Sequence, residues 1–412
     1  MIVRKMVREG DPALFLGVLI LTATGILLIY SAGEGDSSQA IGDLYLKQLI
    51  WWAIALAIGL FSFSVPLKWW EVMAYPLYAF SLLFLVFLAF KAGRGEAASR
   101  WIRLGPVQFQ PAEFAKIFTV LALARYLGNR KSPVDSFGMM VVPCLFVLVP
   151  IALVAVQPDL GTSVAFVAIL IWMLFWSGTP LTYLFFLVVP IISLITAFNS
   201  LIWGIFTVGL IVFITWRRAH LIDSIIVLSV HIATGLMTVP FWEKLKPYQR
   251  QRILSFLQPE SDPLGSGWQI IQSKVALGSG GVLGKGLLEG TQKKLAFLPA
   301  QHTDFIFSIL GEEFGYLGVL IFLSLFLFIL VRIVDLARST YSNSFSTLVA
   351  FGVLAIWFFH LFINVGMTLG LLPVTGVPLP FLSYGGSFLI ACYFLLGILL
   401  RTSTERYDYW VR

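Results

Sequence analysis

Long apolar runs alternate with short polar punctuation along most of the chain. Segments 12–33, 48–67, 72–90 and 136–158 contain no Asp, Glu, Lys or Arg. As helices rising about 1.5 Å per residue, each can cross roughly 30 Å of hydrocarbon. Segment 113–127 is a weaker span, interrupted by Glu113, Lys116 and Arg125. Residues 160–216 then carry no charge at all. The turn signals Ser177-Gly178-Thr179-Pro180 and Phe198-Asn199-Ser200 divide this run into spans near 160–177, 180–198 and 201–216. A ninth span follows at 224–241. Beyond a long polar segment come 305–331, 343–371 and 385–400. The pattern predicts an all-α, polytopic transmembrane helical bundle of about 12 spans, one membrane domain over 1–412, with a large external loop at 243–303.

Composition agrees with that reading. The 412 residues are 58% hydrophobic and 12% charged, with a mean hydropathy of +0.90. Soluble domains carry about 25% charged residues, so a soluble or disordered chain is excluded. The net charge of +7 is a matter of topology, and no nucleic-acid partner is implied. With the N-terminus inside, 14 of the 28 Lys and Arg residues fall at inner helix ends. The short outer loops are nearly free of them, as the positive-inside rule requires. Both termini are then cytoplasmic and loop 243–303 faces outside. The first apolar run is too long for a signal h-region and reads as a span that stays. Segment 91–116 breaks the rule with Lys91, Arg94, Arg100, Arg103 and Lys116, and an external basic cluster placed against insertion bias is a functional hint. Cys144 and Cys392 both lie in apolar runs and suggest neither a disulfide framework nor a metal cluster.

The loop 243–303 carries eight Lys and Arg residues and two glycine-rich stretches, Gly278-Ser279-Gly280-Gly281 and Gly284-Lys285-Gly286. It is not a P-loop, because Gly286 stands where Ser or Thr would hold the metal. Its backbone N–H groups are nonetheless candidates to approach phosphate. Asp262 precedes an amphipathic stretch over 268–277 and is either a reactive carboxylate or a helix N-cap. Asp304 and Glu312-Glu313 are interfacial anchors or the rim of a site. Glu113 and Lys116 share a helical face at i, i+3 and neutralise each other, or serve a site, since ionisable groups within spans are functional candidates by default. Asp159 sits at an outer helix end. No histidine has zinc-ligand spacing, and no Ser-His-Asp set is readable.

Taken together the motifs resemble one family. They run Arg100 to Gly105, Phe109-Gln110-Pro111-Ala112-Glu113-Phe114-Ala115-Lys116, and Gln157 to Ser163. The loop adds Tyr248 to Arg252, Asp262-Pro263-Leu264-Gly265-Ser266-Gly267, Gln272-Ser273-Lys274, Gly284-Lys285-Gly286 and Gly290-Thr291-Gln292. His302 to Phe307, Glu312 to Gly315, Pro373 to Phe381 and Ser383 to Ser387 complete the set in order. The chain is similar to the SEDS family (shape, elongation, division and sporulation). Its Gly-Thr-Gln favours the RodA branch over the FtsW branch.

That resemblance implies a peptidoglycan glycosyltransferase of the bacterial inner membrane, polymerising lipid II outside the bilayer. The implied partner is a class B penicillin-binding protein. The family's essential loop aspartate maps onto Asp262, the candidate base for an inverting displacement. Arg100, Lys116 and Lys274 are candidates for the pyrophosphate, and Trp101 for sugar stacking or for the aromatic belt. The wider substrate-binding set adds Gln272, Ser273, Lys285 and Asp304. Glu113 and Asp159 are candidate oxygen ligands for a divalent cation, Mg or Mn; no organic cofactor is implied. The family usually has ten spans, and the stretch 180–222 adds two here. An even insertion keeps the loop outside. Rival readings are a lipid II flippase and a non-catalytic scaffold for the penicillin-binding protein.

Overall fold

The structure, a computed structural model, describes residues 10–34, 43–93, 100–104, 107–157, 159–218, 220–245, 247–261, 267–291, 301–340 and 344–410. Each of the twelve apolar segments forms a helix. They are α1 (Pro12–Glu34), α2 (Leu44–Ser64), α3 (Leu67–Gly93), α4 (Pro111–Gly128), α5 (Phe137–Val156) and α6 (Leu160–Trp176). After them come α7 (Leu181–Thr196), α8 (Ser200–Trp216), α9 (Leu221–Lys244), α12 (Ile306–Ser339), α13 (Ser344–Thr368) and α14 (Gly386–Trp410). Two further helices, α10 (Pro247–Leu257) and α11 (Trp268–Ser279), lie in the long loop. Eight of the twelve are long and apolar enough to cross a membrane by length and composition. Helices α6, α7 and α8 are apolar but only 16 or 17 residues long. Helix α4 has 18 residues and carries Glu113, Lys116 and Arg125.

A departure from an all-helical chain lies in the basic segment between α3 and α4. Strands β1 (Ile102–Leu104) and β2 (Val107–Phe109) pair antiparallel, with Ile102 opposite Phe109.

Helices α13 and α14 form the hub of the bundle. About 72% of the apolar window of α13 and 83% of that of α14 is buried, against 11% for α2. Between apolar helices in lipid there is little hydrophobic drive, so close approach and polar contacts hold the interface. Gly397 of α14 shows this: a Cβ there would sit 2.1 Å from the Gly59 carbonyl oxygen of α2. Segment 369–385, between α13 and α14, is not helical, yet Leu379, Phe381, Leu382 and Ser383 are buried. Non-helical backbone at such depth survives only when protein surrounds it. Here the Ser383 hydroxyl donates to the Thr303 carbonyl at 2.6 Å and accepts from the Leu379 N–H at 2.8 Å.

Helix α12 is broken at Gly315, whose φ of 64° and ψ of −164° are non-helical. The break leaves backbone groups without helical partners, and residues 281–286 of the long loop supply them. Lys285 N and Gly286 N donate to the carbonyls of Glu312 and Glu313, while Tyr316 N and Leu317 N donate to those of Gly281 and Val282. The amides of Lys285 and Gly286, considered for phosphate on sequence grounds, are therefore committed to α12.

Helices α7, α8 and α9 build a small core of their own around Phe186, Val189, Leu210, Ile214 and Val227. Buried His231 joins the three, its Nε2 lying 2.8 Å from the Thr207 hydroxyl and its carbonyl accepting from Ser193 Oγ at 2.8 Å.

Candidate functional site

A cavity of about 680 Å³ opens at one end of the bundle, where the N-termini of α2, α4, α6 and α14 meet the segments 302–304 and 375–378. Its lining includes Arg100, Trp101, Gln108, Gln110 and Glu113. Asp159, Arg252, His302, Asp304 and Tyr384 also face it, with Lys47, Ile50 and Trp51 of α2 forming one wall. A second, smaller cavity of about 250 Å³ lies at the opposite end of α4, beside Arg130, Lys131 and Trp176. It contains none of the expected site residues.

Each carboxylate of the larger cavity is held differently. Asp159 caps α6: its Oδ1 accepts from Thr162 N at 3.2 Å, and its Oδ2 from Gln110 Nε2 at 3.1 Å. Glu113, in the first turn of α4, pairs with Lys116 at 2.9 Å. Asp304 lies just ahead of α12, and its backbone carbonyl accepts from Asn364 Nδ2 at 2.9 Å. Burial pushes its carboxyl above the ordinary range; Arg252 and Arg100 pull it back, and Asp159 adds to the rise. One pocket thus joins buried carboxylates with basic and aromatic groups from distant parts of the chain. That combination suits a substrate with both anionic and sugar-like parts.

The structure brings together Arg100, Trp101, Glu113, Asp159 and Asp304 from the expected set. Asp262 lies outside the described residues, although the helix that leads toward it, α10, contributes Arg252 to the cavity. Lys116 stands behind the wall, 1% exposed. Gln272, Ser273, Lys274 and Lys285 do not line the cavity. Ser273 bonds to the Ser308 hydroxyl and the Thr368 carbonyl, both at 2.7 Å, and so fastens α11 to α12 and α13. Lys285 pairs with Glu312 at 2.7 Å, which also accepts from Thr291 N. Lys274 lies against Gly370.

Among the described residues no three His, Cys, Asp or Glu side chains converge as a metal site. Glu113 is occupied as the counter-ion of Lys116, and Asp159 is partly occupied as a cap. The pair does not form a protein-only ion cage.

The cavity residues missed on sequence grounds are Lys47, Gln108, Gln110, Arg252, His302 and Tyr384. Gln110, Arg252, His302 and Tyr384 fall inside motifs that carried the resemblance. Lys47 had a signal too, as the one basic residue in the connecting segment 34–47.

A charged cavity at one end of an apolar helical bundle defines a polytopic membrane protein that presents polar chemistry at the bilayer surface. The family described as cell cycle protein, grouping FtsW, RodA and SpoVE, matches residues 12–208 and 198–408, two pieces that meet inside α8. The peptidoglycan glycosyltransferase MrdB of Escherichia coli K12 is 36% identical over 96% of this chain and 94% of its own. The peptidoglycan glycosyltransferase RodA of Treponema pallidum is 35% identical over 97% and 99%. Among solved structures, a chain of a peptidoglycan synthase complex aligns at 30% identity with a TM-score of 0.70, covering 97% of this chain and 99% of that one. The rod shape determining protein RodA of Thermus thermophilus aligns at 26% identity and 0.63, covering 97% and 98%. The chain belongs to the SEDS family, on the side of MrdB and RodA. It is a membrane glycosyltransferase.

Proposed function

We propose that this chain polymerises lipid II into peptidoglycan strands for cell elongation and shape, releasing undecaprenyl pyrophosphate. The observation that carries this reading is the cavity itself. Basic Arg100, Arg252 and Lys47 face the same space as Asp159 and Asp304, directly above apolar helices. A donor whose polyprenyl tail cannot leave the bilayer needs its pyrophosphate and sugars met at such a boundary.

The transfer forms one C–O bond and breaks another. The acceptor sugar's 4-hydroxyl oxygen attacks the anomeric carbon of the donor. The bond from that carbon to the pyrophosphate oxygen breaks, and the hydroxyl proton passes to a base. Inversion at the anomeric carbon follows from a single displacement. Asp262 is the base, and general-base help of this kind is worth about 10²–10⁴-fold. Arg100 and Arg252 offset the charge that grows on the departing pyrophosphate. A divalent cation held with phosphate oxygens needs only one or two carboxylates; Asp159 is the carboxylate placed for it, and the ion would add positive charge at the leaving group. Trp101 offers its ring to a sugar.

The cavity faces outward. The opposite end of the bundle carries Arg130, Lys131, Arg217, Arg332 and Arg338, which the positive-inside rule assigns to the cytoplasm of a bacterial inner membrane. A class B penicillin-binding protein, the crosslinking partner, works beside it; support comes from the relative solved within a complex that polymerises and crosslinks.

The test uses proteoliposomes holding the full chain, lipid II, a divalent cation and a partner whose transpeptidase site is dead. Wild type should make glycan polymer, and Asp262→Ala should make none while keeping its melting temperature. Polymer from both variants would remove Asp262 as the base. Lipid II movement without polymer from wild type would replace synthesis by transport.

A further inference from the structure

Lys116 is a charge set where charge is expensive, 1% exposed among α4, α13 and α14. Two groups hold its ammonium. Glu113 Oε2 lies at 2.9 Å and His360 Nε2 at 2.8 Å. His360 is 2% exposed, and its other ring nitrogen, Nδ1, lies 2.9 Å from the Pro378 carbonyl oxygen. A carbonyl only accepts, so Nδ1 bears the hydrogen. The neutral ring then has its acceptor at Nε2, the atom that faces the ammonium. A doubly protonated ring would set donor against donor. The ring is further oriented by stacking on Phe388, at 4.8 Å between centroids and 21° between planes.

The chain of contacts starts and ends on the cavity. Pro378 lines it, as do its neighbours Thr375 and Gly376; Glu113 and Phe388 line it too. Behind that wall run the imidazole and the ammonium, which touch no cavity space. The carbonyl of the buried non-helical segment thereby fixes a carboxylate on the other side of the pocket.

We propose that His360 is a positioning residue for glycosyl transfer: anchored by the Pro378 carbonyl as the tautomer that accepts at Nε2, it holds Lys116 against Glu113 and so fixes the Glu113 carboxylate on the cavity wall. The inference rests on the polymerase reading. Without the Nε2 acceptor, Lys116 turns away and Glu113 shifts with it. Glu113 lines the pocket that this reading gives to the substrate, and a misplacement of about 1 Å in such a pocket costs up to about 10²-fold in rate.

The experiment measures lipid II polymerisation in proteoliposomes by wild type, His360→Leu and His360→Gln, each with its melting temperature. His360→Leu should lower kcat by about 10²-fold with KM within twofold. His360→Gln, whose amide oxygen can accept from Lys116, should recover most of the rate. Normal kcat in His360→Leu would overturn the inference. So would equal loss in both variants when both melt like wild type. If His360→Leu does not fold, the wild-type chain decides. Labelling its four histidines with nitrogen-15 and recording imidazole spectra in nanodiscs reads the tautomer directly. A neutral ring protonated at Nδ1 supports the inference; an imidazolium, or a ring protonated at Nε2, overturns it. An inactive wild type sinks the polymerase reading and with it the transfer role, whereas active wild type with active His360→Leu sinks only the positioning role.

Discussion

At the scale of single residues, the site is decided by how each buried charge is paired. Asp304 is the clearest case, because burial outweighs the pull of Arg252 and Arg100 and leaves its carboxyl raised. The sign of the consequence follows by linkage. In acid the carboxyl is protonated in both folded and unfolded chain, and its burial has no charge penalty. As pH climbs past the ordinary carboxylate value, the unfolded chain releases its proton first, and the folded state loses stability until the raised value is passed. Asp304→Asn should therefore melt with wild type near pH 4 and melt higher than wild type near neutrality. Melting curves across that range check this, and a constant or reversed difference would contradict the raised carboxyl. The residue types at Glu113, Lys116, Asp159 and Asp304 were open to reading from the sequence as candidates. Which of them faced the cavity was not. Lys116 turned out to stand behind the wall because its partner His360 lies 244 residues away. Local spacing holds no information about such a contact.

Among elements, the most informative feature is the break in α12. Its freed carbonyls and amides accept the loop 281–286 as an added layer of backbone, so the glycines there serve docking rather than phosphate. Gly315 permits it: its dihedral angles belong to a region that essentially only glycine occupies, and a Cβ would sit 2.2 Å from Gly284 N. Gly315→Ala is expected to cost at least about 1–3 kcal/mol, read as a lower melting temperature and faster proteolysis within 281–291. Gly204→Ala is the contrast. It sits inside α8 with open space around its missing Cβ, and should match or slightly exceed wild type in stability. Wild-type protease resistance in Gly315→Ala would show that the loop docks by other means. Every helix of the bundle was legible from apolar length and turn signals. The break was not, because Glu312-Glu313-Phe314-Gly315 reads as a continuous helical run until the loop's backbone arrives to satisfy it.

For the whole molecule, the question is what α7 and α8 add. Neither contributes to the cavity; α7 packs mainly with α9, α8 packs against both, and the three share a separate small core. Removing an even number of spans leaves the direction of every other helix unchanged. A variant joining α6 to α9 by a short linker should therefore polymerise lipid II within tenfold of wild type, a change under about 1.4 kcal/mol in barrier. The deletion would orphan Asp223, which accepts from the Tyr183 hydroxyl at 2.7 Å, and His231. Asp223→Asn and His231→Leu belong in the same variant for that reason. Loss of activity in a protein that remains folded would give the pair a direct part in synthesis.

The sequence by itself determined the twelve apolar helices, the orientation that its basic residues favour and the family. These are legible because a bilayer leaves the backbone few choices, and apolar length and positive charge write those choices directly into the chain. The tertiary structure alone decided which polar residues share the cavity, which of them are structural fasteners, and how Pro378, His360, Lys116 and Glu113 connect one wall to another. Those relations join helices far apart in sequence. They are set by which faces pack at the hub of α13 and α14, where leaving a polar group unpaired is costly and the partners that are found are ones no local pattern specifies.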